Sequence, residues 1–367
     1  MRIDEMVTRA AKAGEVYRLD HFHDVWNAPT VRRLMGNEVV YPPSPKAIRA
    51  IVEFASSANY YPEDASTNET LRARLAEYVG IQDGAAWIAL GNGSLEIIDM
   101  LYRVFVDEGD DILLPCPEYS PYVRRAQLFG ARIIDVIPSA DFAYEANDFL
   151  RKVTARTKMI IMSRPSNPTG NLVSRALVEA LCNTTRIVVV DEAYAQFAGE
   201  TVCDLVEKYP NLIVSRTFSK AMGLAGIRLG FVVANPEVVD YVNRVRVPMN
   251  VNLMASVAAL AALDDLDYIQ QVTRKVVDAR DQFTEELERI PGLRAFASAG
   301  NSVLLCCEGT KKPASAFHQR LLQEGYSVRL FANARGLPGD VYFRVSVGTP
   351  QDMKRIAEVI RLMAASE

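Results

Sequence analysis

Short runs of apolar, mostly β-branched residues recur through the middle of the chain, each followed by a longer stretch in which apolar positions return at helical spacing. Asp111-Ile112-Leu113-Leu114, Ala131 to Val136, Met159 to Met162, Ile187 to Val190, Leu212 to Val214 and Gly230 to Ala234 read as strands. Runs with little polar alternation predict strands buried on both faces, the pattern of a mainly parallel sheet wrapped by helices. Trp87-Ile88-Ala89-Leu90 precedes Ile97, Ile98, Leu101, Val104 and Phe105, which share one helical face. A long helical tract rich in Ala, Val and Leu then runs from Leu253 to Leu263 and from Leu266 to Ile290. Ser302 to Cys306 and Val341 to Val347 return to strand patterns. The expected fold is α/β: a three-layer α/β/α large domain over 43–250 with a mainly parallel mixed sheet, and a smaller α+β domain from 1–42 and 292–367, joined by helices over 251–291.

Three strand ends carry candidate chemistry. In open α/β sheets ligands bind at the carboxyl ends of parallel strands. Asp191 ends the run Ile187-Val188-Val189-Val190. Ser163-Arg164-Pro165-Ser166-Asn167-Pro168-Thr169-Gly170 follows Met159 to Met162, with two prolines and a glycine holding Asn167 in a fixed loop. Lys220 follows Leu212 to Val214, boxed by Ser219, small residues and Arg228. Gly91-Asn92-Gly93-Ser94-Leu95 opens a helix, where glycines let the backbone approach an anion and unpaired N–H groups face it. No Gly-Lys-Ser/Thr follows, so a nucleotide triphosphate is not indicated. Burial or a nearby cation shifts a lysine toward the neutral form that attacks a carbonyl. Read singly, Lys220 is more often an ordinary solvated lysine, Asp191 has a helix cap as its alternative, the Asn167 loop a turn without function, and the glycine pair is weak evidence.

In this order, together with Pro43-Ser44-Pro45-Lys46-Ala47-Ile48, Tyr61-Pro62-Glu63, Asp191-Glu192-Ala193-Tyr194, Thr217-Phe218-Ser219-Lys220 and Phe343-Arg344-Val345-Ser346-Val347-Gly348-Thr349, the segments resemble the fold-type I pyridoxal-phosphate enzymes. Within them the chain is similar to the class I/II aminotransferases of the histidinol-phosphate aminotransferase-like group, which share the fold of aspartate aminotransferase. The resemblance covers most of the chain. It implies pyridoxal 5′-phosphate as cofactor, with Lys220 bonded to its aldehyde and later moving the substrate proton, and Asp191 on the ring nitrogen. Asn167 and Tyr194 would serve the ring oxygen, and Tyr119 the ring face. Ser219, Arg228 and the backbone of Ser94 and Leu95 would hold the phosphate, with Tyr61 reaching in from a second copy, so that a homodimer shares its active sites. Arg344 would take the substrate carboxylate or its equivalent, because guanidinium forks match carboxylates, and Arg329 a distal phosphate. Substrates implied are an amino acid or amino-alcohol phosphate as donor and a 2-oxo acid as acceptor. A decarboxylase of the threonine-phosphate type and a non-catalytic cofactor-sensing domain are the alternatives.

One departure concerns the lid. Where the family reads Asn-Glu-Asn-Pro-aromatic-Gly, this chain has Asn37-Glu38-Val39-Val40-Tyr41-Pro42, preceded by an apparent insertion containing His21 to Pro29. The pair His21 and His23 invites a metal reading, but a single further histidine, His318, and no zinc-like spacing argue for a lid or surface role. With 367 residues and 49% hydrophobic content the chain can bury a large core, and a net charge of −4 without a basic stripe argues against nucleic acid. Five cysteines, an odd number placed largely in apolar runs, read as buried thiols of a reducing compartment. No apolar core suited to a signal peptide follows the charged first residues, and nothing approaches the roughly 18 apolar residues of a membrane span. A cytoplasmic location is expected.

Overall fold

The computed structural model describes residues 2–14, 25, 28, 30–66, 68–82 and 84–365, so the His21/His23 pair and most of the segment around it lie outside the described residues. The first strand, β1 (Arg32–Leu34), belongs to the smaller of two sheets. The larger contains β2 (Ile88–Gly91), β3 (Asp111–Pro115), β4 (Arg132–Val136), β5 (Thr157–Ser163), β6 (Ile187–Asp191), β7 (Leu212–Thr217) and β8 (Gly230–Ala234), in the spatial order β2-β8-β7-β6-β5-β3-β4. Only β8 runs antiparallel to its neighbours. The mainly parallel mixed sheet expected from the apolar runs is present.

The uninterrupted runs follow from burial on two sides. Val188 and Val190 of β6 face one apolar core with Ile160, Met162, Leu212 and Val214, whereas Val189 faces a second with Met159, Ile161 and Ile213. Helices cover both sides, among them Ser94–Phe105 and Ser120–Leu128 with apolar residues in the second core. The strand register places Ser163, Asp191 and Ser215 in one row, so that the carboxyl ends of β5, β6 and β7 open at the same level.

The smaller sheet orders β1 beside β11 (Tyr326–Phe331), then β12 (Tyr342–Ser346), β10 (Ser302–Cys306) and the short β9 (Arg294–Ala295). β1 lies parallel to β11, and the other pairs are antiparallel. Val303, Leu305, Phe343 and Val345 join the same core as Val188 and Val190, so one apolar mass links the two sheets. The tract after Asn252 forms two helices, Leu253–Leu263 and Leu266–Glu288. Asn252 caps the first of them by accepting from the Ala255 N–H at 2.9 Å. All five cysteines are free and buried. Among the described residues no helix is long and apolar enough to cross a membrane, and no group of three potential metal ligands forms.

Candidate active site

Asp191 ends β6 on the side of Val189, where burial pushes its carboxyl up to about 6. It accepts from the Tyr122 hydroxyl at 2.9 Å and from the Ala193 N–H at 3.0 Å. Tyr122, on the helix Ser120–Leu128, was not among the residues expected at the site. Its fully buried ring packs edge-on against Tyr119, with centroids 5.4 Å apart. The carboxylate thus has polar anchors in a setting that penalises an isolated charge.

Lys220, just beyond β7, is half-buried. Burial first, then the neighbouring Arg344 guanidinium, bring its amine down to about 8, while Glu38 and Asp191 oppose that shift. Its Nζ donates to the Gly36 carbonyl at 2.9 Å and lies 5.6 Å from the centre of the Tyr194 ring. A lysine so placed is partly neutral near physiological pH, as a carbonyl nucleophile requires.

Asn167 connects three groups. Its Nδ2 donates to the Tyr194 hydroxyl at 3.3 Å, its Oδ1 accepts from Arg344 Nη1, and its backbone N–H donates to Ser163 Oγ at 2.9 Å. Tyr194 also accepts from Asn37 Nδ2 at 3.0 Å. A phenol that accepts twice keeps its own proton to donate. Glu118, a second unexpected residue, is buried and accepts from Ser163 N at 3.0 Å, Ser163 Oγ at 2.5 Å and Tyr119 N at 2.8 Å. It therefore ties the loop of Tyr119 to the loop of Asn167. Burial pushes its carboxyl up to about 7.

Gly93, Ser94 and Leu95 begin the helix Ser94–Phe105 beside Arg228 and Ser219. Gly93 has φ +80°, and a Cβ there would collide with the Arg228 guanidinium. Arg228 Nη1 donates to Ser219 Oγ at 3.3 Å and to the Ala225 carbonyl at 3.1 Å. Unpaired helix N–H groups, a hydroxyl and a guanidinium form a cradle that suits a phosphate. The residues present accordingly fit a phosphorylated aldehyde cofactor with a basic ring: an anion cradle, a depressed lysine and a buried acid.

Arg344 of β12 is buried, which excludes a surface ion pair, and its Nη2 donates to the Met35 carbonyl at 2.9 Å. Arg329 of β11 stands directly opposite it across the strand pair. Phe331 lies near both guanidinium groups, 5.8 Å from Arg329 and 5.7 Å from Arg344. Tyr61 is 86% exposed, so within one copy it stands away from this cluster. The segment expected as a lid passes beside these residues: Asn37, at φ 53°, donates from its backbone to Ser346 Oγ at 2.9 Å and accepts from that hydroxyl at 3.0 Å. Val39, Val40 and Tyr41 line an open cleft of about 820 Å³ that reaches Ser219.

The model of the aminotransferase class I and II family matches residues 30–360. A histidinol-phosphate aminotransferase of Roseiflexus castenholzii is 37% identical over 340 residues, 90% of this chain and 89% of that one. Another, of Methanothermobacter thermautotrophicus, is 34% identical over 330 residues, 89% of this chain and 87% of the relative. The crystal structure of histidinol-phosphate aminotransferase from Sinorhizobium meliloti in complex with pyridoxal-5′-phosphate superposes with a TM-score of 0.85 at 25% identity, covering 98% of this chain and 97% of that one. With a lysine, an acid and an anion cradle assembled at the strand ends and the family pattern running almost from end to end, the chain belongs to the class I and II aminotransferases.

Proposed function

We propose that the enzyme uses pyridoxal 5′-phosphate to move an amino group between a histidinol phosphate-like amine and a 2-oxo acid. The observation that carries this reading is the placement of one amine, Lys220 Nζ, just beyond the row of strand ends that holds Asp191, 2.9 Å from the Gly36 carbonyl and 5.6 Å from the centre of the Tyr194 ring. When bound, the cofactor supplies an electrophilic aldehyde and an electron-withdrawing ring. Lys220 is the residue to hold that aldehyde and, as a neutral amine, to take the proton from the substrate's α-carbon and return it. Asp191 is the partner for the ring nitrogen, and a cation there would restore its carboxylate form. Tyr194 and Asn167 serve the ring oxygen, with the Tyr194 phenol as donor, and Tyr119 the ring face. Ser219, Arg228 and the N–H groups of Ser94 and Leu95 take the phosphate.

Arg344 fixes the substrate's carboxylate or equivalent group. Arg329 stands one strand away, and two guanidinium groups facing across a strand pair repel each other unless an anion sits between them. That supports a substrate with a distal phosphate, as the names of the relatives suggest. Tyr61 is the residue that a second copy contributes, so the active form is a homodimer of cytoplasmic location. The division into a large domain over 43–250, a small one from 1–42 and 292–367, and connecting helices over 251–291 makes the cleft between sheets the substrate site.

The test is a half-reaction screen. Histidinol phosphate, added alone to the cofactor-loaded protein, is expected to change the cofactor's absorbance, and 2-oxoglutarate to restore it. No response to any phosphorylated amine or amino acid would refute the transamination reading. Carbon dioxide release in place of a reversible change would mark the threonine-phosphate type of decarboxylase instead.

A further inference from the structure

The loop that carries Tyr61 does not hang free of the rest of the site. Three residues on, Asp64 receives Arg246: Oδ1 accepts from Nη2, and Oδ2 accepts from Nη1 at 3.2 Å and from the Met249 N–H at 2.9 Å. Ser66 adds two donors to Oδ1, its N–H at 2.9 Å and its hydroxyl at 2.7 Å. The Arg246 side chain is 5% exposed, and it drives the Asp64 carboxyl far below the usual carboxylate range. Burying a guanidinium to this degree is tolerated only with a well-matched anion. The Asp64 side chain is 27% exposed, so the pair is half-buried, and its two-pronged geometry with the added Met249 and Ser66 donors constrains the two loops more than a single exposed contact would.

From Arg246 the contacts continue toward the phosphate cradle. Its Nη1 donates to Asn250 Oδ1 at 3.0 Å, and Asn250 Nδ2 donates to Glu96 Oε2 at 2.5 Å. The same Glu96 oxygen accepts from the Asn92 N–H at 2.6 Å, inside the Gly91-Asn92-Gly93 turn. Asn252 Nδ2 reaches the Ile227 carbonyl at 3.0 Å, next to Arg228. A single connector, Arg246 to Asn252, thereby touches the Tyr61 loop, the turn that opens the cradle and the loop of Arg228.

We propose that Asp64 and Arg246 are positioning residues: they set the loop that presents Tyr61 to the other copy's cofactor phosphate and lock it to the connector that frames the copy's own cradle. The proposal rests on the shared-site reading given above. Neither residue touches substrate or cofactor. Their effect passes through the phosphate contacts alone, so it depends on whether the ligand carries a phosphate.

The experiment measures the Kd of the apoprotein for pyridoxal 5′-phosphate and for pyridoxal, which lacks the phosphate. Asp64→Asn, Tyr61→Phe and the double variant are compared with the wild type. Loss of one hydrogen bond to a charged group weakens binding about tenfold, so Tyr61→Phe is expected to lose about that factor for the phosphorylated ligand and little for pyridoxal. Asp64→Asn should reproduce this pattern, and the double variant should be no weaker than the weaker single one, because both substitutions remove the same contact. Arg246→Lys, which keeps the charge but not the fork, should fall between wild type and Asp64→Asn. If Tyr61→Phe has no effect, the shared-site reading fails and takes the proposal with it. Should Tyr61→Phe weaken binding while Asp64→Asn does not, or should the two losses multiply, the shared site stands and the positioning role is overturned. Equal weakening for pyridoxal would overturn it as well, by showing a general structural defect.

Discussion

Lys220 sits at odds with its surroundings until a ligand arrives. Burial and Arg344 bring its amine down to about 8, below the 10.5 of a free lysine, so at neutral pH most copies of the apoprotein carry an ammonium group that the site disfavours and the rest a neutral amine. For a depressed lysine the unfolded chain binds more protons between the two values, and stability therefore rises as pH climbs from about 8 toward 10.5. Lys220→Met is expected to stabilise the apoprotein at pH 7 by about 1–3 kcal/mol, net of the lost bond to Gly36, with the gain vanishing above about pH 10.5. Denaturant midpoints of the two proteins across this range check it, and a gain independent of pH would exclude the titration as its cause. Glu118 and Asp191 act in the opposite direction. Their carboxyls are raised to about 7 and about 6, so their stabilising protonation is complete only below the ordinary carboxylate range and is lost as pH rises through 6 and 7. The disfavoured ionisation of Lys220 and Asp191 is what the proposed cofactor would relieve, a trade of stability for readiness at the site.

The helix Ser94–Phe105 contributes its amino-terminal end, and the glycine before it decides how close Arg228 can come. At φ +80° and with the guanidinium in contact, Gly93→Ala meets both backbone strain and a collision. The variant is expected to lose about tenfold or more in affinity for pyridoxal 5′-phosphate, the worth of one charge-assisted hydrogen bond, while the affinity for pyridoxal changes little. Equilibrium binding with both ligands decides, and a wild-type affinity for the phosphate form would mean that Arg228 does not serve the phosphate. Such features were legible because they lie in continuous stretches: Ile187 to Asp191 announces a buried strand and its polar end, and Gly91-Asn92-Gly93 announces a turn before a helix. Tyr122 was not legible, since it meets Asp191 across 69 positions and its helix shows no signal beyond an apolar face. Glu118 escaped for the same reason, its partners being a strand end 45 residues away. β1 spans three residues, Arg32–Leu34, too few for any period to show, and its pairing with β11 depends on a segment almost three hundred positions later. The segment expected as a lid departs from the family pattern at Val39, Val40 and Pro42, yet Asn37 still binds Tyr194 and Ser346, and of the altered residues Val39 and Val40 line the open cleft.

One apolar core joins the two sheets, and a cluster of exposed apolar side chains lies away from it. Val52, Tyr60, Tyr61, Val247 and Met249 are 69%, 71%, 86%, 66% and 47% exposed, an amount of open apolar side chain that argues for a covering partner. Tyr60, Tyr61, Val247 and Met249 belong to the two loops that Asp64 and Arg246 clamp together, so they form one surface. On the homodimer proposed above, a second copy would cover this surface, with Tyr61 beside it. Sedimentation equilibrium is expected to give about twice the 40.7 kDa chain mass for the wild type. Val247→Asp places a charge on this surface, which burial against a partner would leave unpaired. The variant should sediment as a monomer at micromolar concentration, keep the far-ultraviolet circular dichroism of the wild type, and bind pyridoxal 5′-phosphate about tenfold more weakly through loss of the partner's tyrosine contact. A variant that dissociates yet binds the cofactor as tightly as before would separate assembly from the site and remove the partner tyrosine from it. A wild type that sediments as a monomer would leave the exposed apolar surface to a different partner and make Tyr61 a bystander.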